Sequence, residues 1–408
     1  MTEGGTVFTI VHPAPLPDRR LCSILTPIAW RNFGIGRMPA DKGSSMRSRF
    51  KFSLSDMLKQ HRRWEKTIAK AVKVTRKALA PSAKPSPAAP VAKARTSAKP
   101  AAGLQEVKAF GSNPGRLRML RYVPAGLPKK SPLVVVLHGC QQTAEAYDLG
   151  SGWSTLARER GFAVVYAEQK RSNNGNLCFN WFRPSNVTRD RGEVMSIRQM
   201  VAKMASAHGI DRKRVFITGL SAGGAMAAAM LATYPDVFRG GGVIAGLPYG
   251  AARDVHRALS AMKSAPERAG REWGDLVRAA SPVTRDFPTV SIWHGTKDHT
   301  VSLSNADALL QQWLDVHGLD TDAYVQNEVD GHVHRVWKDA KGRTAIELYL
   351  IDGMGHGTPL KPRPASRVKA DTPGPYMLDA GISSSMHLAT AWGLRKSPLV
   401  SALKQAAE

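Results

Sequence analysis

The segment Gly219-Leu220-Ser221-Ala222-Gly223 constrains this chain more than any other, because of what flanks it. An apolar β-branched run at 215–217 precedes it, and the small-residue run Ala225-Met226-Ala227-Ala228-Ala229-Met230 follows it. β-branched residues favour a strand and alanine a helix, so the residues between must turn the chain sharply from one to the other. G-x-S-x-G in that setting is a nucleophile elbow: the glycines admit a cramped turn, and the serine hydroxyl is held exposed above a sheet. A serine among glycines also serves as a helix N-cap, and it is the strand ahead of it that favours the elbow.

Beyond residue 104 the same grammar repeats. Short apolar runs at 133–137, 163–166, 215–217, 242–244, 289–293 and 346–351 each end in a Gly-rich or polar turn, with helix-like stretches such as 194–207 and 221–234 between them. Strands alternating with helices predict an α/β domain over 104–408, with a mostly parallel sheet covered by helices on both faces. Functional residues are expected at the C-terminal ends of its strands.

Ahead of this domain the composition changes. Residues 1–45 show neither helical nor strand periodicity and read as a poorly ordered leader, or as sequence upstream of a start at Met46. Over 46–80, Leu54, Met57, Leu58, Trp64, Ile68, Ala71, Val72 and Leu79 fall close to one helical face while Lys and Arg crowd the other, which predicts a basic amphipathic helix. The Pro/Ala/Lys-rich stretch 81–103 cannot build a core and reads as a semi-rigid linker. Residues 47–99 hold 15 Lys/Arg against two acids, a surplus of 13 out of a net charge of +26. Half of the net positive charge therefore lies in this segment, outside the α/β domain. An anionic surface such as lipid or a granule coat, or a polyanion such as nucleic acid, is the partner a helix of this kind fits; packing on the α/β domain is the alternative.

There is no run of 18 apolar residues, so no membrane-spanning helix is expected. The start lacks a recognisable signal peptide, since the apolar stretch 7–11 is short and ends at His12 and Pro13. Cys22, Cys140 and Cys178 are too few for a disulfide scaffold and show no zinc spacing. Neither metal nor cofactor is expected.

A serine hydroxyl is a weak nucleophile near neutral pH and needs a base, itself oriented by a carboxylate. Elbow folds supply them in the chain order Ser, acid, His. The run 289–293 leads into His294-Gly295-Thr296-Lys297-Asp298-His299, and the run 346–351 into Asp352-Gly353-Met354-Gly355-His356-Gly357. Asp298 and His356 are therefore the candidate acid and base for Ser221. Asp352 is the rival acid, disfavoured because it lies only four residues before His356. His294 and His299 flank the acid, and His332 and His334 read as surface positions ahead of a strand. A developing oxyanion needs N–H donors from the residue after the nucleophile and from the loop after an early strand. Ala222 is the first by position, and Cys140, in His138-Gly139-Cys140-Gln141-Gln142, is the candidate for the second. His138 reads as structural rather than as a base.

Leu137-His138-Gly139-Cys140-Gln141-Gln142-Thr143, Cys178-Phe179-Asn180-Trp181-Phe182, the Ser221 elbow, Gly246-Leu247-Pro248-Tyr249-Gly250 and the loops of Asp298 and His356 together resemble the poly(3-hydroxybutyrate) depolymerase family of esterases. That family is related to feruloyl and acetylxylan esterases, and the resemblance runs over about 109–394. It implies an α/β-hydrolase fold, a Ser221, Asp298 and His356 triad, and hydrolysis of carboxylic esters, those of short hydroxyalkanoate polymers in the best-known members. It implies a disulfide between Cys140 and Cys178 bracing the oxyanion loop, and it places Trp181 either in the acyl pocket or in the core. The sequence reaches Glu408 with no linker and substrate-binding module after the catalytic domain, so soluble oligomers, amorphous polymer or small acyl esters are the expected substrates. A feruloyl or acetylxylan esterase is the alternative within the class; a polyanion- or granule-binding protein on a hydrolase scaffold is the alternative outside it. Family and disulfide point to an extracellular location, the missing signal peptide to a cytoplasmic one.

Overall fold

The computed structural model describes residues 103–361 and 374–394. The expected leader, basic helix and linker lie outside the described residues, apart from Gly103. The strands are β1 Gln105–Glu106, β2 Arg118–Tyr122, β3 Leu133–Leu137, β4 Ala163–Glu168, β5 Val215–Leu220, β6 Gly240–Ile244, β7 Thr289–Gly295, β8 Tyr324–Val329, β9 His332–Lys338, β10 Thr344–Ile351, β11 Thr358–Leu360 and β12 Met377–Asp379. The helices are α1 Ala144–Ser151, α2 Trp153–Arg160, α3 Pro184–Val187, α4 Gly192–His208, α5 Ala222–Thr233, α6 Val255–Lys263, α7 Gly270–Arg278, α8 Ser304–His317 and α9 Ser384–Ala391.

Ten strands form one sheet in the order β1-β2-β4-β3-β5-β6-β7-β10-β9-β8, and β11 pairs with β12 apart from it. From β4 to β10 every neighbour is parallel; the pairs at both margins are antiparallel. A mostly parallel sheet covered by helices is what the alternation of runs predicts, and the fold is the α/β-hydrolase one that the resemblance implies. β3, Leu-Val-Val-Val-Leu, is buried at every position because helices cover both faces of the sheet. Its period of two divides it between two cores. Leu133, Val135 and Leu137 pack with residues of α4, α5, α7 and α8, including Ile197, Met230, Trp273 and Trp313. Val134 and Val136 pack on the other face with Tyr147, Trp153, Leu156 and Leu388 from α1, α2 and α9. Each fully buried Leu or Val contributes roughly 1.5–3 kcal/mol relative to an exposed one.

The short runs did not mark β1, β2, β8, β9, β11 or β12, and two differences bear on the packing near the site. β6 begins at Gly240 rather than at 242, and glycine gives no apolar signal. A Cβ on Gly241 would stand 2.6 Å from the Leu231 side chain of α5, and one on Gly242 2.6 Å from Leu388 of α9. These glycines let helices approach the sheet closely on both faces. Secondly, His332 and His334 do not precede a strand but lie in one, β9, joined to β8 by the turn Asp330-Gly331, with φ of 51° and 83°. Positive φ at both turn positions matches the twist of a two-residue hairpin. His334 is not a surface residue: it is buried, its ring stacks on Tyr349 at 4.0 Å, and its Nε2 lies 3.1 Å from Glu347 Oε1. Among the described residues no helix is long and apolar enough to cross a membrane.

The parallel pairing sends the C-terminal ends of β3, β5, β6, β7 and β10 to one edge of the sheet. Loops 138–142, 245–250, 296–303 and 352–357, together with Ser221, therefore converge there.

Candidate active site

Ser221 joins β5 to α5 with φ 56° and ψ −117°, a backbone conformation that L-residues avoid. It is held there by its own N–H, which donates to Ile244 O at 2.9 Å, and by its carbonyl, which accepts from Ala225 N at 2.8 Å. The elbow also presses against the end of β3. A Cβ on Gly223 would come within 2.5 Å of both Leu137 O and His138 O, and one on Gly219 would collide with Gly223 O. The glycines of the motif are thus required by close approach as well as by the turn.

The expected partners come together on this serine. His356 Nε2 is 2.9 Å from Ser221 Oγ, and His356 Nδ1 is 2.7 Å from Asp298 Oδ2. With Nδ1 donating to the carboxylate, Nε2 is left as the acceptor of the serine proton. The other carboxylate oxygen, Asp298 Oδ1, accepts the N–H groups of Thr300 and Val301 at 2.8 and 2.9 Å. Burial by itself would raise the Asp298 carboxyl. The hydrogen bond and charge of His356 and the Val301 amide outweigh it and hold the group below the ordinary carboxylate range. The loops after β7 and β10 are tied together by Thr296 N to Ile351 O and Lys297 N to Met354 O, both 3.0 Å, which fixes Asp298 relative to His356.

The rivals stand elsewhere. Asp352 is exposed and accepts from the Thr296 hydroxyl at 3.2 Å, and His299 is exposed. His294 is fully buried, its Nε2 2.8 Å from Val301 O and 3.6 Å from Asp298 Oδ2. Burial lowers its pKa, so it remains neutral, and Nε2–H donates to Val301 O behind the acid. His138 is buried too, with its Nδ1 2.7 Å from Gly139 O and its Nε2 accepting Gln169 N–H at 3.1 Å. Burial depresses its pKa to about 4, which suits a structural imidazole.

Cys140 and Cys178 form a disulfide. Gln141 N donates to Asn176 O at 2.8 Å, a second tie between the same two loops. Among the described residues, the N–H groups of Cys140 and Ala222 make no hydrogen bond. The Trp181 side chain is buried, edge-on to Phe182 at 5.6 Å, within the core that also holds α4 and α5. Among the described residues no group of three or more His, Cys, Asp or Glu side chains is arranged to hold a metal ion.

Two supporting residues escaped the sequence reading. Gln142 accepts Gly139 N–H through Oε1 and donates through Nε2 to Pro375 O, both at 2.8 Å, joining loop 138–142 to the segment whose Tyr376 ring stands edge-on to His356. Its only signal was a polar pair two residues after the glycine that follows β3. Glu193, in the first turn of α4, is buried, and burial raises its pKa to about 7. In the unfolded chain the same carboxyl titrates near the ordinary value of about 4.3. Between these values the folded state binds the extra proton, so stability from this group is fully present at low pH and is lost as pH rises through about 7. Glu193→Gln is expected to remove a decline of roughly 3 kcal/mol between pH 4.5 and 8. Urea unfolding across that range checks it, and an unchanged slope in the variant would contradict it.

The sequence matches the family described as Esterase PHB depolymerase over residues 117–338. It is 45% identical over 292 residues to a poly(3-hydroxyalkanoate) depolymerase C of Paucimonas lemoignei, covering 71% of this chain and 70% of that one. It is 30% identical over 268 residues to a feruloyl esterase B of Talaromyces funiculosus, covering 64% and 74%. Among solved structures, an acetyl xylan esterase from Aspergillus awamori superposes with a TM-score of 0.58 at 27% identity, covering 62% of this chain and 94% of that one.

Proposed function

The chain belongs to the PHB depolymerase family of esterases and is a carboxylic ester hydrolase, and from that premise we propose that Ser221, His356 and Asp298 perform the hydrolysis on esters of short hydroxyalkanoates. The observation that carries the mechanism is the continuous hydrogen-bonded chain Ser221 Oγ, His356, Asp298. His356 Nε2 takes the serine proton as Oγ attacks the ester carbonyl. Asp298 holds the imidazole in the tautomer that can accept, and stabilises the imidazolium that results. The tetrahedral oxyanion is received by the N–H groups of Cys140 and Ala222; a donor of this kind contributes on the order of 3 kcal/mol to the transition state. His356 then protonates the leaving alcohol, and a water activated by the same nitrogen releases the acid from Ser221.

Identity to the hydroxyalkanoate depolymerase exceeds that to the feruloyl and acetylxylan esterases over a comparable stretch, and this supports the choice of acyl group. A panel of hydroxybutyrate oligomers, methyl ferulate and acetylated xylan tests it. The oligomers are expected to be turned over with kcat/KM at least about tenfold above the others, a difference of about 1.4 kcal/mol in transition-state binding. A preference for ferulate or acetylxylan would reassign the pocket, in which Trp181 is proposed to contribute a wall. The Lys/Arg-rich segment 47–99 is proposed to hold an anionic surface, supported by its charge. Added salt should then release the protein from anionic vesicles or granules while soluble-ester hydrolysis persists.

A further inference from the structure

Loop 169–182 bonds a single buried carboxylate directly, and loop 138–142 is joined to it through Gln169. Glu193 Oε2 accepts Asn180 N–H at 2.8 Å, and Oε1 accepts Asn180 Nδ2 at 2.6 Å and Gln169 Nε2 at 2.8 Å. Gln169 Nε2 also donates to Cys178 O at 3.1 Å, and Gln169 N donates to His138 Nε2 at 3.1 Å. Two routes therefore run from one acid to the Cys140 amide. One passes through Gln169 Nε2 to Cys178 O and the disulfide with Cys140; the other passes through Gln169 N to His138, whose ring bonds Gly139 O. The same loop carries Trp181, the residue next to Asn180.

We propose that Glu193 is a positioning residue for the oxyanion site, its carboxylate clamping loop 169–182 so that the Cys140 amide is presented to the tetrahedral oxyanion. The proposal rests on the oxyanion role assigned above to Cys140. Three N–H donors converge on this side chain, and its ionised form, favoured above about pH 7, offers acceptors to all three. Among the described residues no Lys or Arg side chain bonds this carboxylate, and the charge of the exposed Arg183 acts on it only weakly. Glutamine at this position would turn an N–H₂ group toward N–H donors, and the loop would have to move to relieve it. Sub-ångström displacement of an oxyanion donor is felt in the transition state and hardly at all in ground-state binding.

Glu193→Gln in the full chain is the test, read by kcat and KM on p-nitrophenyl butyrate and by the inhibition constant of a trifluoromethyl ketone, which forms a tetrahedral adduct on the serine. The expected result is a loss of about 10–100-fold in kcat with KM within about twofold. The ketone's inhibition constant should rise by a similar factor. Gln169→Met, equal in length and unable to donate, should reproduce the pattern and serves if the first variant does not fold. Wild-type kcat and unchanged ketone binding in either folded variant would overturn the proposal. So would failure of both variants to fold while Ser221→Ala folds, which would assign Glu193 to folding alone. An inactive wild type would instead defeat the hydrolase reading on which the proposal stands.

Discussion

Ser221→Ala is expected to lower kcat/KM for p-nitrophenyl butyrate by on the order of 10⁶, leaving a residual rate some 10³ above water from binding and oxyanion contacts. The loss should fall on kcat, because the hydroxyl makes its decisive interaction only as the bond to the carbonyl forms. Stability should hold or rise. Alanine at this position would keep the left-handed φ of 56°, and the side chain has no bond to lose except that to His356. Steady-state kinetics beside a thermal melt separate these effects. A variant with near wild-type kcat would remove the serine from the mechanism.

Asp298→Asn is expected to lower kcat by on the order of 10⁴ with little change in KM. The asparagine carbonyl can still accept the Thr300 and Val301 amides, so the turn after β7 should survive. Its N–H₂ would face His356 Nδ1, at present 2.7 Å from the carboxylate oxygen. The imidazole would then carry its proton on Nε2 and could no longer accept from Ser221. His294 cannot substitute: it is neutral, buried, and committed to Val301 O. Measuring kcat for this variant at several pH values checks the tautomer argument, and a loss of less than tenfold would assign the orienting role to another carboxylate.

The parts of this site that the sequence made legible are those where backbone chemistry leaves a compositional mark. Val215 to Ser221 reads as strand and turn because β-branched residues and glycines sit where sterics demand them. The loops of Asp298 and His356 read the same way, each a strand end followed by glycine. Gly240 and Gly241 were invisible as strand because their purpose is the absence of a side chain against Thr289 and Leu231. The Asp330-Gly331 turn makes β8 and β9 a hairpin, and it is this pairing that brings His334 under Tyr349 and Glu347 rather than to the surface. Glu193 was illegible for another reason. An acid in the first turn of a helix is ordinarily a solvated partner of the helix dipole. Only the fold of residues 169–182 over it, far from α4 in neither sequence nor space but unpatterned in composition, reveals that it is buried.

The central claim, that Ser221 is the nucleophile of an ester hydrolase, is tested most directly by reacting the full chain with a fluorophosphonate and locating the adduct by mass spectrometry. One equivalent should be incorporated, on the peptide bearing Ser221, with esterase activity lost in proportion, and Asp298→Asn should label at least about a hundredfold more slowly. Loss of activity with the adduct on another residue, or full labelling of Ser221 with activity retained, would contradict the account.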